Sequence, residues 1–349
     1  MMKARILSLF LALTLLTGSA SPALAAGGYS DVPKNHWAAQ SVRRAGELGL
    51  FQGVGGGRFG LGEPITRAAF VTALVRLFGW EAERPQSPAF SDVPAGAWYF
   101  SAVETAFAHD AFRLQQGRFR PEEPITREEM AVMLVRSLGY TSLAVTLGAE
   151  ECPFTDVSVS PGYITLAYDL GIVGGTGNGR FDPGSSAARE QAAAVLVRVY
   201  DKLHAASRQV QSAGNSRVVS VPTPTSNLDA AAPATPLEPI AELYRALRNA
   251  KNSGADPEKT VLQLTAGGVR TLVAGGRVVS TAAVSAGEVR RILTSEDVST
   301  YYDSRYESAY CIYRPNDAQT ATLWYQSGES QAAKLRLARL FGVTRYVLA

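Results

Sequence analysis

The feature that most constrains this chain is an ordered set of short motifs that returns three times. Tyr29-Ser30-Asp31-Val32-Pro33, Phe90-Ser91-Asp92-Val93-Pro94 and Phe154-Thr155-Asp156-Val157 each open a unit, at a spacing of about sixty residues. An amphipathic stretch follows, then a glycine-rich turn carrying Gly57-Arg58-Phe59, Gly117-Arg118-Phe119 or Gly179-Arg180-Phe181. Past the turn stand Ile65-Thr66-Arg67, Ile125-Thr126-Arg127 and the weaker Ala187-Ala188-Arg189, and a second arginine comes nine residues later at Arg76, Arg136 and Arg198. One such helix–turn–helix cannot bury its apolar face alone. Three can, by packing their second helices together.

Each motif has a local reason. An aspartate opening a unit can accept backbone N–H groups, as it does in turns and helix caps. The glycines permit positive φ and a tight reversal. Thr66 and Thr126 stand where an N-cap is needed, and Thr126 with Glu129 reads as a capping box. Phe70, Leu74 and Phe78, then Met130, Leu134 and Leu138, then Val195 and Val199 recur at helical spacing on one face of each second helix.

From Tyr29 to about Tyr200 the sequence resembles the S-layer homology family, whose units run from an aromatic-x-Asp-Val opening to an Ile-Thr-Arg-Ala-Glu motif. The resemblance implies a mainly α-helical, three-repeat spindle around a central three-helix bundle, with repeats at 29–80, 90–140 and 154–203. It also implies grooves between the prongs that bind secondary cell-wall polysaccharide on peptidoglycan, commonly pyruvylated, with the motif arginine meeting the carboxylate. The residues matched for polysaccharide binding are Asp31, Trp37, Arg67, Asp92, Trp98, Arg127, Asp156 and Arg189. An arginine in the first helical turn sets its fork beside unpaired N–H groups, which favours an anion. A salt bridge between prongs remains the alternative for these arginines, and core packing the alternative for the two tryptophans.

The copies depart from the motif unequally. Copy two keeps Thr126-Arg127-Glu128-Glu129, copy one has Ala69 in place of the glutamate, and copy three has Ala188 for threonine, Gln191 for glutamate and no tryptophan. The groove of copy three is therefore expected to be the weakest and Arg127 the most important arginine. His36 and His109 fall at different places in their units, so neither reads as a metal ligand or general base, and no cofactor or metal is implied.

The N-terminus reads as an export signal, residues 1–25. Lys3 and Arg5 precede the apolar run Ile6–Leu16, and Ala23-Leu24-Ala25 fits a signal-peptidase site. The run is too short to span a bilayer, so no membrane span is expected in the mature chain. With 34 basic and 31 acidic residues and no polybasic run, nucleic acid is not an expected partner. Cys152 and Cys311 can pair or stay free. Residues 205–239, rich in Ala, Ser, Thr and Pro, read as an extended spacer holding the C-terminal half away from the head.

Residues 240–349 read as a small α/β domain: a helix Ile240–Lys251, a strand Val261–Leu264, a hairpin turning at Gly275-Gly276, a helix Ala286–Leu293, strands Ala309–Arg314 and Ala321–Tyr325, a basic helix Ser330–Phe341 and a strand Thr344–Leu348. Asp256-Pro257-Glu258-Lys259-Thr260-Val261-Leu262, Leu323-Trp324-Tyr325 and the stretch through Ala333-Lys334-Leu335 resemble the end of a family eighteen, chitinase-like glycoside hydrolase barrel. The acidic Asp-x-x-Asp-x-Asp-x-Glu strand end of that family is missing, and the half is shorter than a barrel of roughly 250 residues. The expectation is a secreted, non-enzymatic protein held at the cell wall. The alternatives are a wall-attached carbohydrate-active enzyme and a structural S-layer subunit.

Overall fold

The computed structural model describes residues 28–113, 117–221, 236–295 and 297–349, so the expected export signal and residues 222–235 of the expected spacer lie outside the described residues. Among the described residues the first half is built from helix pairs. First helices are α1 (Ala39–Glu47), α3 (Phe100–Ala108) and α6 (Pro161–Asp169); second helices are α2 (Arg67–Phe78), α4 (Arg127–Ser137) and α7 (Arg189–His204), with a short α5 (Thr141–Ala144) after the second pair. The second helices start where the sequence places caps. Thr66 and Thr126 accept the amides of Ala69 and Glu129, and Glu129 closes a capping box. Ala188 has no oxygen to offer, so α7 keeps half the box, the Gln191 carboxamide accepting the Ala188 amide at 3.2 Å.

The three units close on one another cyclically. Ile65 N–H donates to Ala187, Ala187 to Ile125 and Ile125 to Ile65, at 2.9–3.0 Å. This triangle of backbone bonds sits at the starts of α2, α4 and α7. It satisfies amides that would otherwise be buried without partners, since Ile65, Ile125 and Ala187 are all fully buried. Each first helix packs on the second helix of the preceding unit: α3 on α2, α6 on α4 and α1 on α7.

The C-terminal half consists of two sheets with helices α8 (Ile240–Asn252), α9 (Ala286–Leu293) and α10 (Gly328–Leu340). One sheet is parallel, in the order β1 (Arg208–Gln209), β9 (Arg345–Leu348), β3 (Thr260–Leu264), β2 (Arg217–Val219). The other is antiparallel, in the order β5 (Arg277–Val284), β4 (Gly268–Ala274), β8 (Gln319–Tyr325), β7 (Ser308–Asn316), β6 (Val298–Asp303). The β4–β5 hairpin turns on Gly275 and Gly276, both at positive φ as a type I′ turn requires. Along β8, Tyr325 enters the core beneath α9 with Cys311 and Leu323, while Trp324 lies on the opposite face against Leu237 and Val269. Cys152 and Cys311 are both free, and burial pushes the Cys311 thiol up to about 11.

The extended spacer needs correction. Within its limits, β1 and β2 form half of the parallel sheet, and Arg208 and Val210 donate amides to Thr344 and Tyr346 at 2.7 and 2.8 Å. The C-terminal half is not held at a distance. One continuous apolar core runs from the helix pairs into Leu243, Leu247, Leu262, Leu337 and Phe341. A polar clasp accompanies it: Tyr244 donates to Asp169 at 2.5 Å, the Arg248 guanidinium lies 2.9 Å from Asp169 and 2.5 Å from Glu151, and Lys251 and Lys202 donate to the carbonyls of Asp169 and Leu340. The physical reason is plain in α8, whose apolar face of Ile240, Leu243, Tyr244 and Leu247 has to be covered and is covered in part by the third repeat.

Candidate functional site

The three opening aspartates lie on turns, within their own units. Asp31 accepts the amides of Phe59, Gly60 and Leu61 at 2.7–3.0 Å, Asp92 those of Phe119 and Arg120, and Asp156 those of Phe181 and Asp182. Partial burial pushes the Asp31 and Asp92 carboxyls up, but the amide bonds together outweigh it and hold both below the usual carboxylate range. For Asp156 the Phe181 amide is the leading cause of the same downward shift. The glycine before each Arg-Phe pair, Gly57, Gly117 and Gly179, has φ near +70°, the left-handed conformation that lets the amides converge on one carboxylate.

Those turns present a carbonyl to the neighbouring unit, and the motif arginines take it. Arg67 Nε donates to Phe119 O at 2.7 Å, Arg127 Nε to Phe181 O at 2.9 Å and Arg189 Nε to Phe59 O at 2.9 Å. Each guanidinium also lies over the phenylalanine ring of that turn, 4.6–5.2 Å from its centroid. The arginines thus join unit to unit around the same ring as the backbone triangle, donating in the opposite sense. This contact between prongs uses a carbonyl and a ring in all three units, and the salt bridge that was the sequence alternative is found at Arg67, whose Nη1 lies 2.6 Å from Glu129 of the second unit.

The second arginines work within a unit. Arg76, Arg136 and Arg198 reach the carbonyls of Leu50, Asp110 and Ile172, each 26 residues back and just beyond the end of a first helix. A cation there meets orphan carbonyls and the negative end of the helix dipole. Their regular recurrence was the only sequence signal for this role.

Trp37 and Trp98 are not core residues: they are 62% and 66% exposed. Trp37 lines an open groove of about 260 Å³ together with Arg127, Met130, Gly174, Phe181 and Gln191. The groove therefore takes its tryptophan from the first unit, its arginine from the second and its turn from the third. Arg127 Nη2 donates to Gly174 O at 2.8 Å, and among the described residues no carboxylate salt-bridges this arginine. Arg189 has the matching bonds, Nη2 donating to Gln52 O at 2.9 Å. Burial draws down the pKa of both arginines, with nearby carboxylates opposing it only in part; a guanidinium starts so basic that it stays charged.

Residues 28–71, 89–131 and 153–193 match the family profile of the S-layer homology domain. The chain carries three S-layer homology repeats. Two relatives share the repeat region: an endoglucanase of Bacillus sp. (strain KSM-635), 31% identical over 48% of this chain and 18% of its own length, and the S-layer protein sap of Bacillus anthracis, 26% identical over 57% of this chain and 24% of its own. The chain thus spans less than a quarter of the length of either. Among solved structures, a plant class V chitinase mutant from Cycas revoluta aligns with 38% of this chain and 40% of its own, at 21% identity and a TM-score of 0.31. The S-layer homology repeats and these relatives indicate a cell-surface protein. The expectation that the chain is not an enzyme is corrected by the sequence comparison, in which an endoglucanase stands among the relatives. Among the described residues no helix is long and apolar enough to cross a membrane.

Proposed function

We propose that the chain is exported, loses residues 1–25 and is held non-covalently at the cell wall by an anionic, pyruvylated secondary polysaccharide bound in the grooves between its S-layer homology repeats. In this reading the repeats at 29–80, 90–140 and 154–203 form a spindle whose second helices make a central bundle, and residues 240–349 form the α/β part that the spindle carries. The observation that carries the reading is the groove holding Trp37 beside Arg127. An exposed indole offers a flat apolar face to a sugar ring, and a guanidinium with no carboxylate salt-bridged to it offers a charge-assisted bond to an acid group. Asp31, Asp92 and Asp156 support the site indirectly, by shaping the turns on which the arginines rest.

The test is binding of the full chain to purified walls. Trp37 is mostly solvated, so Trp37→Ala leaves the fold intact and weakens binding about ten-fold, roughly 1.4 kcal/mol of lost apolar burial. Arg127→Ala weakens it roughly ten- to a hundred-fold, the value of a hydrogen bond to a charged group, and Arg127→Lys recovers part of this because the charge stays and the fork does not. Unchanged binding by both folded alanine variants contradicts the proposal.

A further inference from the structure

The cyclic arrangement lets the three grooves be compared position by position, and they are not equivalent. Two residues before the first helix of each unit stand Trp37, Trp98 and, in the third unit, Val159. Val159 is 81% exposed, so the position lies open to solvent but holds a small aliphatic side chain with no ring to lay against a sugar. By the packing order, the position of Val159 belongs with α4 and Arg67, as that of Trp37 belongs with α7 and Arg127 and that of Trp98 with α2 and Arg189.

The third position of the second helix differs in the same sense. In the Trp37 groove it is the neutral Gln191, and its counterpart on α2 is Ala69. On α4 it is Glu129, whose Oε1 lies 2.6 Å from Arg67 Nη1 and 3.1 Å from Arg120 Nη2. The Arg67 contact is an ion pair by distance without aligned hydrogen-bond geometry, which is enough to neutralise a guanidinium that is itself only 6% exposed. Glu129 thus puts a carboxylate beside Arg67 where the Arg127 groove has only the neutral Gln191.

We infer that only two of the three grooves, those of Arg127 with Trp37 and Arg189 with Trp98, take an acidic saccharide, and that Arg67 is a structural pin closed by Glu129. The inference rests on the proposed function. It also makes the departures of copies one and three from the family motif, Ala69 and Gln191, the changes that leave an arginine available.

Isothermal titration of the full chain with the 4,6-pyruvate ketal of a methyl N-acetylhexosaminide tests it. Two saccharides bind per chain. Gln191→Glu, which preserves the bond to the Ala188 amide, and Ala69→Glu each reduce the stoichiometry to one, and the double variant binds none. Arg67→Lys still binds two. A wild-type stoichiometry of three, or glutamate variants that titrate like the wild type, overturns the inequality of the grooves. Wild-type protein that holds native walls but gives no heat with this ketal, while a neutral wall saccharide does, overturns the acidic-saccharide reading beneath it.

Discussion

Asp31, Asp92 and Asp156 set the turns whose carbonyls take the Nε bonds of Arg67, Arg127 and Arg189, and their charge makes the head sensitive to acid. Their carboxyls titrate lower in the folded chain than in the unfolded one. The unfolded state therefore takes up protons first as the pH falls. The stabilisation is fully present above the ordinary carboxylate pKa of about 3.9 and is lost as the pH drops through the lower folded values. The urea midpoint is expected to be flat from pH 7 to about 5 and to fall steeply below about 4. Asp31→Ala removes the acceptor of three amides and costs about 1.5–3 kcal/mol at pH 7, with a smaller loss on acidification. An unaltered acid profile in that variant contradicts this role. The motif residues were legible because the same types return in the same order. Their partners were not: Arg189 meets a carbonyl 130 residues away, and no spacing within a unit says which neighbour supplies it. Lys334 was illegible for another reason. A lysine on an amphipathic helix carries no sign of burial in its sequence, yet Lys334 is fully buried, donating to Leu237 O, Gln326 Oε1 and Glu238 Oε2 at 2.7–3.2 Å, and burial draws its pKa down.

At the scale of elements, the long amphipathic helices and the glycine hairpin follow the sequence pattern closely, α9 to the residue. The strands β1 and β2 do not, because two or three residues are too few to show a period and the surrounding composition is that of a spacer. Their hydrogen bonds make a direct prediction. In amide exchange followed by mass spectrometry, Arg208 and Val210 are protected for minutes or longer, whereas a solvated spacer exchanges at once. Helix α8 carries a second prediction. Asp169 is only 5% exposed and its carboxylate is shared by Tyr244 and Arg248. Arg248→Ala leaves that buried charge with the phenol alone and destabilises the chain by about 3 kcal/mol in urea. A loss below about 0.5 kcal/mol indicates a solvated surface pair instead.

For the molecule as a whole, the continuous core means that the repeat head and the parallel sheet stand or fall together. A fragment ending near residue 205 strips α8 and α10 from Asp169 and Tyr140 and is expected to unfold at lower urea than the full chain. Equal midpoints point instead to independent domains. The central claim, retention by an anionic wall polymer, is tested most directly by co-sedimenting the full chain with native walls and with walls chemically stripped of their secondary polymer. The account predicts pelleting with native walls, little or none with stripped walls, and reduced pelleting of Trp37→Ala with native walls. Equal pelleting of the wild type with both preparations contradicts it.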